Sequence, residues 1–363
     1  MEQEIDEIKL EETSAYNQED TDLNEPVSLN LTGKVINSDI KIEIYEKIGS
    51  GATAEIYRGK KITGIEKIVA VKFSNRKEES LENLRKEANL SAKLRHDYIV
   101  SIDSYYENEG NGIIVMDFVE GDNLYSILND HKELGLRFPE KFSGLIGWLC
   151  CEALEYAHNN DLIHRDISLK NIMVNRENGS PKLLDFGIGI LSSESKTVLG
   201  QMAGTIGFIA PEIIDGKRAD KRADIYSLGM VLDSLVRGEI FRVGKTKDNL
   251  KPYDIIEKIM NFRKMPYTPL KKIKNIDEEF SDIVEKAVSL APEDRYQSAS
   301  EMLNGLTKYL YQKDEYGPTR PVMKLYLDLI NKIKEAKSKM PYMISDGKFS
   351  LKSLSEGELI KIG

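Results

Sequence analysis

The chain has no long apolar run. Its longest stretch lies near Leu145–Cys151, even counting Gly147 and Trp148 as apolar, far short of the roughly 20 residues that cross a bilayer. The N-terminus opens acidic and polar, unlike a secretory signal. The expectation is a cytoplasmic protein with no membrane anchor and no membrane partner. Cysteine is equally scarce. Cys150 and Cys151 are adjacent, a placement that seldom forms a disulfide and matches no zinc spacing, so both are read as reduced core thiols of a reducing compartment. Surplus charge is missing from the body of the chain. The net charge is -9, and residues 1–40 alone hold eleven acidic residues against Lys9 and Lys34. The remaining residues are therefore balanced, which leaves no electrostatic case for a nucleic-acid partner. The acidic head, residues 1–38, reads as a solvated, disordered extension.

The patterned residues fall into two unlike parts. From Ile40 the pattern is strand-like. "KIEIYEKIGSGATAEIYRGKK" gives two strands around a glycine turn, and "IEKIVAVKFS" a third rich in Ile and Val. "SLENLRKEANLSAKLR" has the helical period, with Leu81, Leu84, Ala88 and Leu94 near one face. "YIVSIDSYYE" and "GIIVMDFVE" are two more strands. After Gly121 the chain turns mainly helical, with stretches at "KFSGLIGWLCCEALEYAHNN", "RADIYSLGMVLDSLV", "PYDIIEKIMNF", "DEEFSDIVEKAVSL" and "SASEMLNGLTKYL". A last amphipathic helix over 321–340 is expected to bury Val322, Leu325, Leu329 and Ile333. The stretch from Pro341 has no assignable pattern.

Four groups of residues carry chemistry. Gly49 and Gly51, between two strands, allow backbone N–H groups to approach a triphosphate without side-chain obstruction. Lys72 ends a β-branched strand about 20 residues on, where its ammonium can be aimed at phosphate. Glu87, on the helix, is the candidate ion-pair partner that fixes Lys72. "HRDISLKNIM" and "LLDFG" are the most specific signals. Asp166 can accept the proton of an attacking hydroxyl, while Asn171 and Asp185 can bind Mg²⁺ bridging the phosphates.

These motifs, in this order, resemble the eukaryotic-type (Hanks-type) Ser/Thr protein kinase family over roughly residues 41–308, in the manner of a soluble bacterial member. "GTIGFIAPE" at 204–212 resembles the end of an activation segment, "ADIYSLG" places Asp224 on the helix bracing the catalytic loop, and "APEDRY" places Arg295 opposite Glu212. The resemblance implies an α+β, two-lobed fold: a five-stranded sheet lobe with one main helix, and a larger, mostly helical lobe. It divides the chain into an extension at 1–38, a small lobe at 39–119, a large lobe at 120–310 and a C-terminal extension at 311–363. It also implies a nucleotide pocket. Met116 would close its back, Asp117, Phe118 and Val119 would form the hinge, and Ile48, Ile56, Ala70 and Met173 would flank the base.

Two residues depart from the family pattern. The lysine usual two residues after the catalytic Asp is Ser168 here, and Lys170 is the candidate to supply the missing charge. Ser91, four residues after Glu87, stands where a bulky residue would join the stack of Ile102, His164 and Phe186; Leu90 is the candidate substitute. The expected activity is ATP- and Mg²⁺-dependent phosphoryl transfer to Ser/Thr hydroxyls of proteins. The alternatives are a pseudokinase or a tyrosine or dual-specificity kinase. Thr205 resembles the threonine that bonds the catalytic Asp in Ser/Thr kinases. Thr197 is the expected site of trans-autophosphorylation, opposite Arg165, which implies self-association.

Overall fold

The computed structural model describes residues 32–33, 35–37, 41–50, 54–74, 78–108, 111–186, 206–239, 268–273, 275–311 and 317–339. The acidic head up to Leu31, Gly51, Thr197, Thr205, the helix expected at 252–262 and the stretch from Pro341 lie outside them.

The small lobe is an antiparallel sheet with one helix against it. Its strands are β1 (Val35–Asn37), β2 (Lys41–Ser50), β3 (Ala54–Lys61), β4 (Lys67–Ser74), β5 (Ile102–Asn108) and β6 (Asn111–Asp117), in the order β1-β2-β3-β4-β6-β5. The five expected strands are all present. A sixth, β1, adds a short edge by pairing Ile36 with Ile42, so the sheet begins ahead of the boundary expected at residue 39. Strand alternation then divides every strand between two faces. Tyr57, Val69, Val71, Phe73, Ile113 and Val115 fill one core. Ile56, Ala70, Ile114 and Met116 face the other way, toward Leu84 and Ala88 of helix α1 (Glu78–Ser91). Lys72 shares that second face by the same period-two rule, because it follows Ala70 by two positions.

The large lobe follows the connection at 118–120, between β6 and β7. A small sheet of β7 (Gly121–Asn123), β8 (Ile172–Asn175) and β9 (Pro181–Leu183) lies beneath it. Its helices are α2 (Leu124–Glu133), α3 (Glu140–Asn159), α4 (Pro211–Ile214), α5 (Arg222–Arg237), α6 (Glu278–Ala287) and α7 (Ala299–Tyr311). Asn123 caps α2 by accepting from Ser126 N–H at 2.9 Å, and Asp277 caps α6 through Glu279 N–H. α5 stops where Gly238 takes φ 72 and turns its N–H back onto Ser234 and Leu235 carbonyls. α5 is buried nearly all round and α3 along most of one side, and each fully enclosed Leu such as Leu228 or Leu232 stabilises by about 1.5–3 kcal/mol. Cys150 and Cys151 are free thiols inside this core, and burial pushes Cys150 up to about 12, so neither is a thiolate at neutral pH.

The last described helix, α8 (Arg320–Lys339), corrects the sequence expectation. Val322 and Leu325 are exposed, whereas Met323 and Ile330 are enclosed, with Tyr326 and Leu327 packed beside them. The helix carries two overlapping apolar stripes, and hydrophobic period alone does not choose between them. The large lobe does, because His131, Phe138 and Phe142 offer rings that Tyr326 meets at centroid separations of 5.6, 6.5 and 5.2 Å.

Candidate active site

Asp224 organises the loop that carries the conspicuous His-Arg-Asp. It is fully buried in α5 and accepts from His164 N–H at 2.8 Å, Arg165 N–H at 2.7 Å and His158 Nε2 at 2.7 Å. Burial works to raise its carboxyl. The His158 hydrogen bond, foremost, and the Arg165 N–H favour the carboxylate, and Asp224 is held below its ordinary range. This grip lets Arg165 persist at φ 64, a left-handed conformation that a non-glycine residue rarely keeps without such support.

His164 ties this loop to the strand before Asp185. Its Nε2 meets the Leu184 carbonyl at 2.8 Å, and its Nδ1 accepts from Asp166 N–H at 3.3 Å. A carbonyl only accepts, so Nε2 carries the proton and the ring is neutral. Burial accordingly holds His164 below its ordinary pKa. The ring also packs on Phe186 at 4.5 Å. Ser91 does not extend this stack with an apolar side chain. It is buried with no hydrogen-bond partner for Oγ among the described residues, while Leu90 packs against the core cluster that contains Phe186.

Asp166, Asn171, Asp185 and Lys72 converge between the lobes. Asn171 Nδ2 donates to the Asp166 carbonyl at 2.8 Å and to Asp166 Oδ2 at 2.7 Å. Both partners are acceptors, which fixes the amide orientation and leaves its carbonyl oxygen turned away from them. Lys72 Nζ reaches Asp185 Oδ1 at 3.1 Å across the cleft. Asp185 sits at φ 45, held on one side by Leu184 N–H on the Asn171 carbonyl at 2.9 Å. The Asn171 amide oxygen and the Asp185 carboxylate are both hard oxygen donors, the type that divalent metals take. Two protein oxygens completed by phosphate and water suit Mg²⁺, which keeps part of its hydration shell.

Several of the residues expected to flank a nucleotide lie together. Ile56, Ala70, Met116, Val119 and Met173 join one apolar cluster beneath the sheet. Gly49 lies opposite Ile56 in the β2–β3 register, and Ile48 is exposed at the rim. Asp117 N–H donates to the Ser101 carbonyl at 3.0 Å. Glu87 falls within α1, though its side chain is not among those described. Lys170 is exposed, with its ammonium 5.5 Å from the centre of the Tyr125 ring. Ser168 is buried, its Oγ without a partner among the described residues.

α2 and the strands β7 and β8 have no counterpart in the sequence expectation, which placed only a strand ending at Asp185 here. The signal for α2 is weak: a single Asn cap and a short period broken by His131 and Lys132.

Residues 42–306, well over half of the chain, match the protein kinase domain. The chain belongs to the protein kinase family. This kinase domain is 31% identical over 272 residues to the serine/threonine-protein kinase PknB of Mycobacterium leprae, covering 72% of this chain and 42% of PknB. It is 31% identical over 286 residues to a protein of Clostridium perfringens named a probable serine/threonine-protein kinase, covering 77% of this chain and 39% of that protein. The chain thus spans about two fifths of the length of these curated relatives. Its fold is like the Mycobacterium tuberculosis PknI kinase domain, with a TM-score of 0.56 at 21% identity, over 74% of this chain and 95% of that one. Members of the kinase family use ATP with a divalent metal and act on proteins. Among the described residues no helix is long and apolar enough to cross a membrane.

Proposed function

We propose that this chain is a cytoplasmic protein kinase that moves the γ-phosphoryl group of ATP onto Ser or Thr hydroxyls of proteins, itself included. The observation that carries the reading is the joint placement of Asp166, Asn171, Asp185 and Lys72. Asp166, steered by Asn171 and by His164, orients the acceptor hydroxyl and takes its proton. Lys72, held on β4, meets the α- and β-phosphates with Glu87 as its second support. Asn171 and Asp185 would hold Mg²⁺, which would offset phosphate charge. Gly49 and Gly51 bring backbone N–H groups over the phosphates, and Met116, Val119, Ile56, Ala70 and Met173 enclose the adenine. Lys170 adds charge near the transferred group, in place of the lysine that Ser168 replaces. Most of the rate gain comes from positioning and fixed charge.

The Ser/Thr assignment draws on the names of the relatives and on Thr205. Incubating the purified chain with γ-labelled ATP, Mg²⁺ and a generic protein acceptor, with phosphoamino-acid analysis of the products, tests it. Label on Ser and Thr is expected. Label on Tyr would shift the reading to dual specificity. Nucleotide binding without transfer would make the chain a pseudokinase.

A further inference from the structure

α8 begins beyond the matched kinase residues, yet the large lobe is built to receive it. Gly179, at φ 70, sits so close to α8 that a Cβ there would lie 2.3 Å from the Arg320 carbonyl oxygen. Arg320 Nη1 donates to Ser180 Oγ at 3.0 Å. These contacts grip the tip of the β8–β9 hairpin. That hairpin starts directly after Asn171 and ends two residues before Asp185, so its base carries both proposed metal ligands.

The rest of α8 grips α2. His131 Nδ1 donates to the Ile127 carbonyl at 2.7 Å, so Nε2 is the acceptor for the Tyr326 hydroxyl at 2.9 Å. Lys334 pairs with Asp130, and Lys337 Nζ donates to the Glu133 carbonyl at 2.7 Å. The far end of α2 in turn touches the catalytic loop. Tyr125 N–H donates to the Leu169 carbonyl at 3.0 Å, and the Tyr125 ring lies under Lys170.

We infer that α8 is a positioning element for phosphoryl transfer, holding the loop from Asp166 to Asn171 in place through α2 and the β8–β9 hairpin, with Tyr326 as its principal anchor. Tyr326 touches neither nucleotide nor acceptor; it acts through His131 and α2. The inference rests on the kinase reading for its rate effect, but its structural half stands apart from activity.

The test compares the full chain with Met323→Asp/Tyr326→Ala, which puts a charge and a void into the α8 seat. Amide exchange is monitored at Tyr125 and across 164–171, beside kcat and the KM for ATP, well below the melting temperature. Expected are faster exchange at those amides and a kcat lower by about tenfold, with KM for ATP changed by less than about twofold, as loss of orientation predicts. Tyr326→Phe, which keeps the packing, should recover most of kcat. If the double variant does not fold, Arg320→Ala removes the hydrogen bond to Ser180, together with the contact on the Tyr98 ring, and should speed exchange at Asn171. Exchange at the catalytic loop and kcat both equal to wild type would overturn the inference. A wild-type chain that transfers no phosphate would instead refute the kinase reading, and the exchange result would still decide the role of α8.

Discussion

At the residue scale, the buried pair Glu212–Arg295 shows how much of this site is scaffold. Arg295 is fully enclosed and grips both carboxylate oxygens of Glu212, at 2.7 and 2.8 Å, while also donating to the carbonyls of Arg222, Ser289 and Leu290. Truncating one partner leaves the other charge buried and unmatched. Arg295→Ala should therefore cost about 3–5 kcal/mol, read as a lowered denaturation midpoint, whereas truncating an exposed pair such as Arg176–Asp122 should cost under about 1 kcal/mol. Lys170 is the opposite kind of residue, exposed and free to reach. If it supplies the charge that Ser168 lacks, Lys170→Ala should lower turnover by about 10- to 100-fold, the rate equivalent of ~1.4–3 kcal/mol of transition-state stabilisation. Steady-state kinetics with an intact melting curve would show this, and an unchanged rate would leave Lys170 as a surface lysine resting on Tyr125.

At the element scale, legibility tracks specificity of pattern. The β4 and β6 strands and helices α3, α5, α6 and α7 are readable from their apolar periods, helped by the Asp277 cap of α6 and by Gly238 at the end of α5. The motif residues are readable because Asp166, Asn171 and Asp185 keep fixed spacing from one another. The face of α8 is not readable, since two apolar stripes satisfy one period and only the rings of His131, Phe138 and Phe142 select between them. The role of Leu90 is similarly open in sequence, because a one-residue shift along α1 depends on how the helix rolls against Phe186. β1 escapes for a plainer reason: Val35–Asn37 is too short to show a period. His131 adds a titratable group to the α2–α8 contact, and burial holds it below its ordinary 6.5. His164 in the catalytic loop is shifted the same way by the same cause. Below pH 6.5 the unfolded chain takes up protons that these folded sites refuse, so stability falls as pH drops through 6.5 and continues to fall toward the folded values. Asp224, whose carboxyl is also held low, keeps its contribution until pH falls below 3.8. Denaturation midpoints measured from pH 8 downward should therefore decline first near 6.5, and His131→Gln should flatten that first decline. A midpoint constant from pH 8 to 5 would contradict it.

At the scale of the whole molecule, a strand lobe and a helical lobe present their chemistry to one cleft. Lys72 arrives from β4 by strand alternation, Asp166 and Asn171 from a loop pinned by Asp224, and Asp185 from the end of β9 through His164. The sequence motifs name these residues, but only the fold shows that their separate supports meet. Regulation belongs to this scale as well. The segment with Thr197 lies outside the described residues, and trans-autophosphorylation within 192–197 is proposed from Arg165 and the polar run there. In the proposed mechanism Asp166 is the group that meets the acceptor hydroxyl. The most direct measurement is phosphoryl transfer from γ-labelled ATP by wild type and Asp166→Asn, beside nucleotide affinity for both. Transfer should fall by at least about 100-fold with nucleotide affinity nearly unchanged, because Asp166 faces the hydroxyl and not the purine. An Asp166→Asn chain that phosphorylates itself and its acceptor at the wild-type rate would contradict the account.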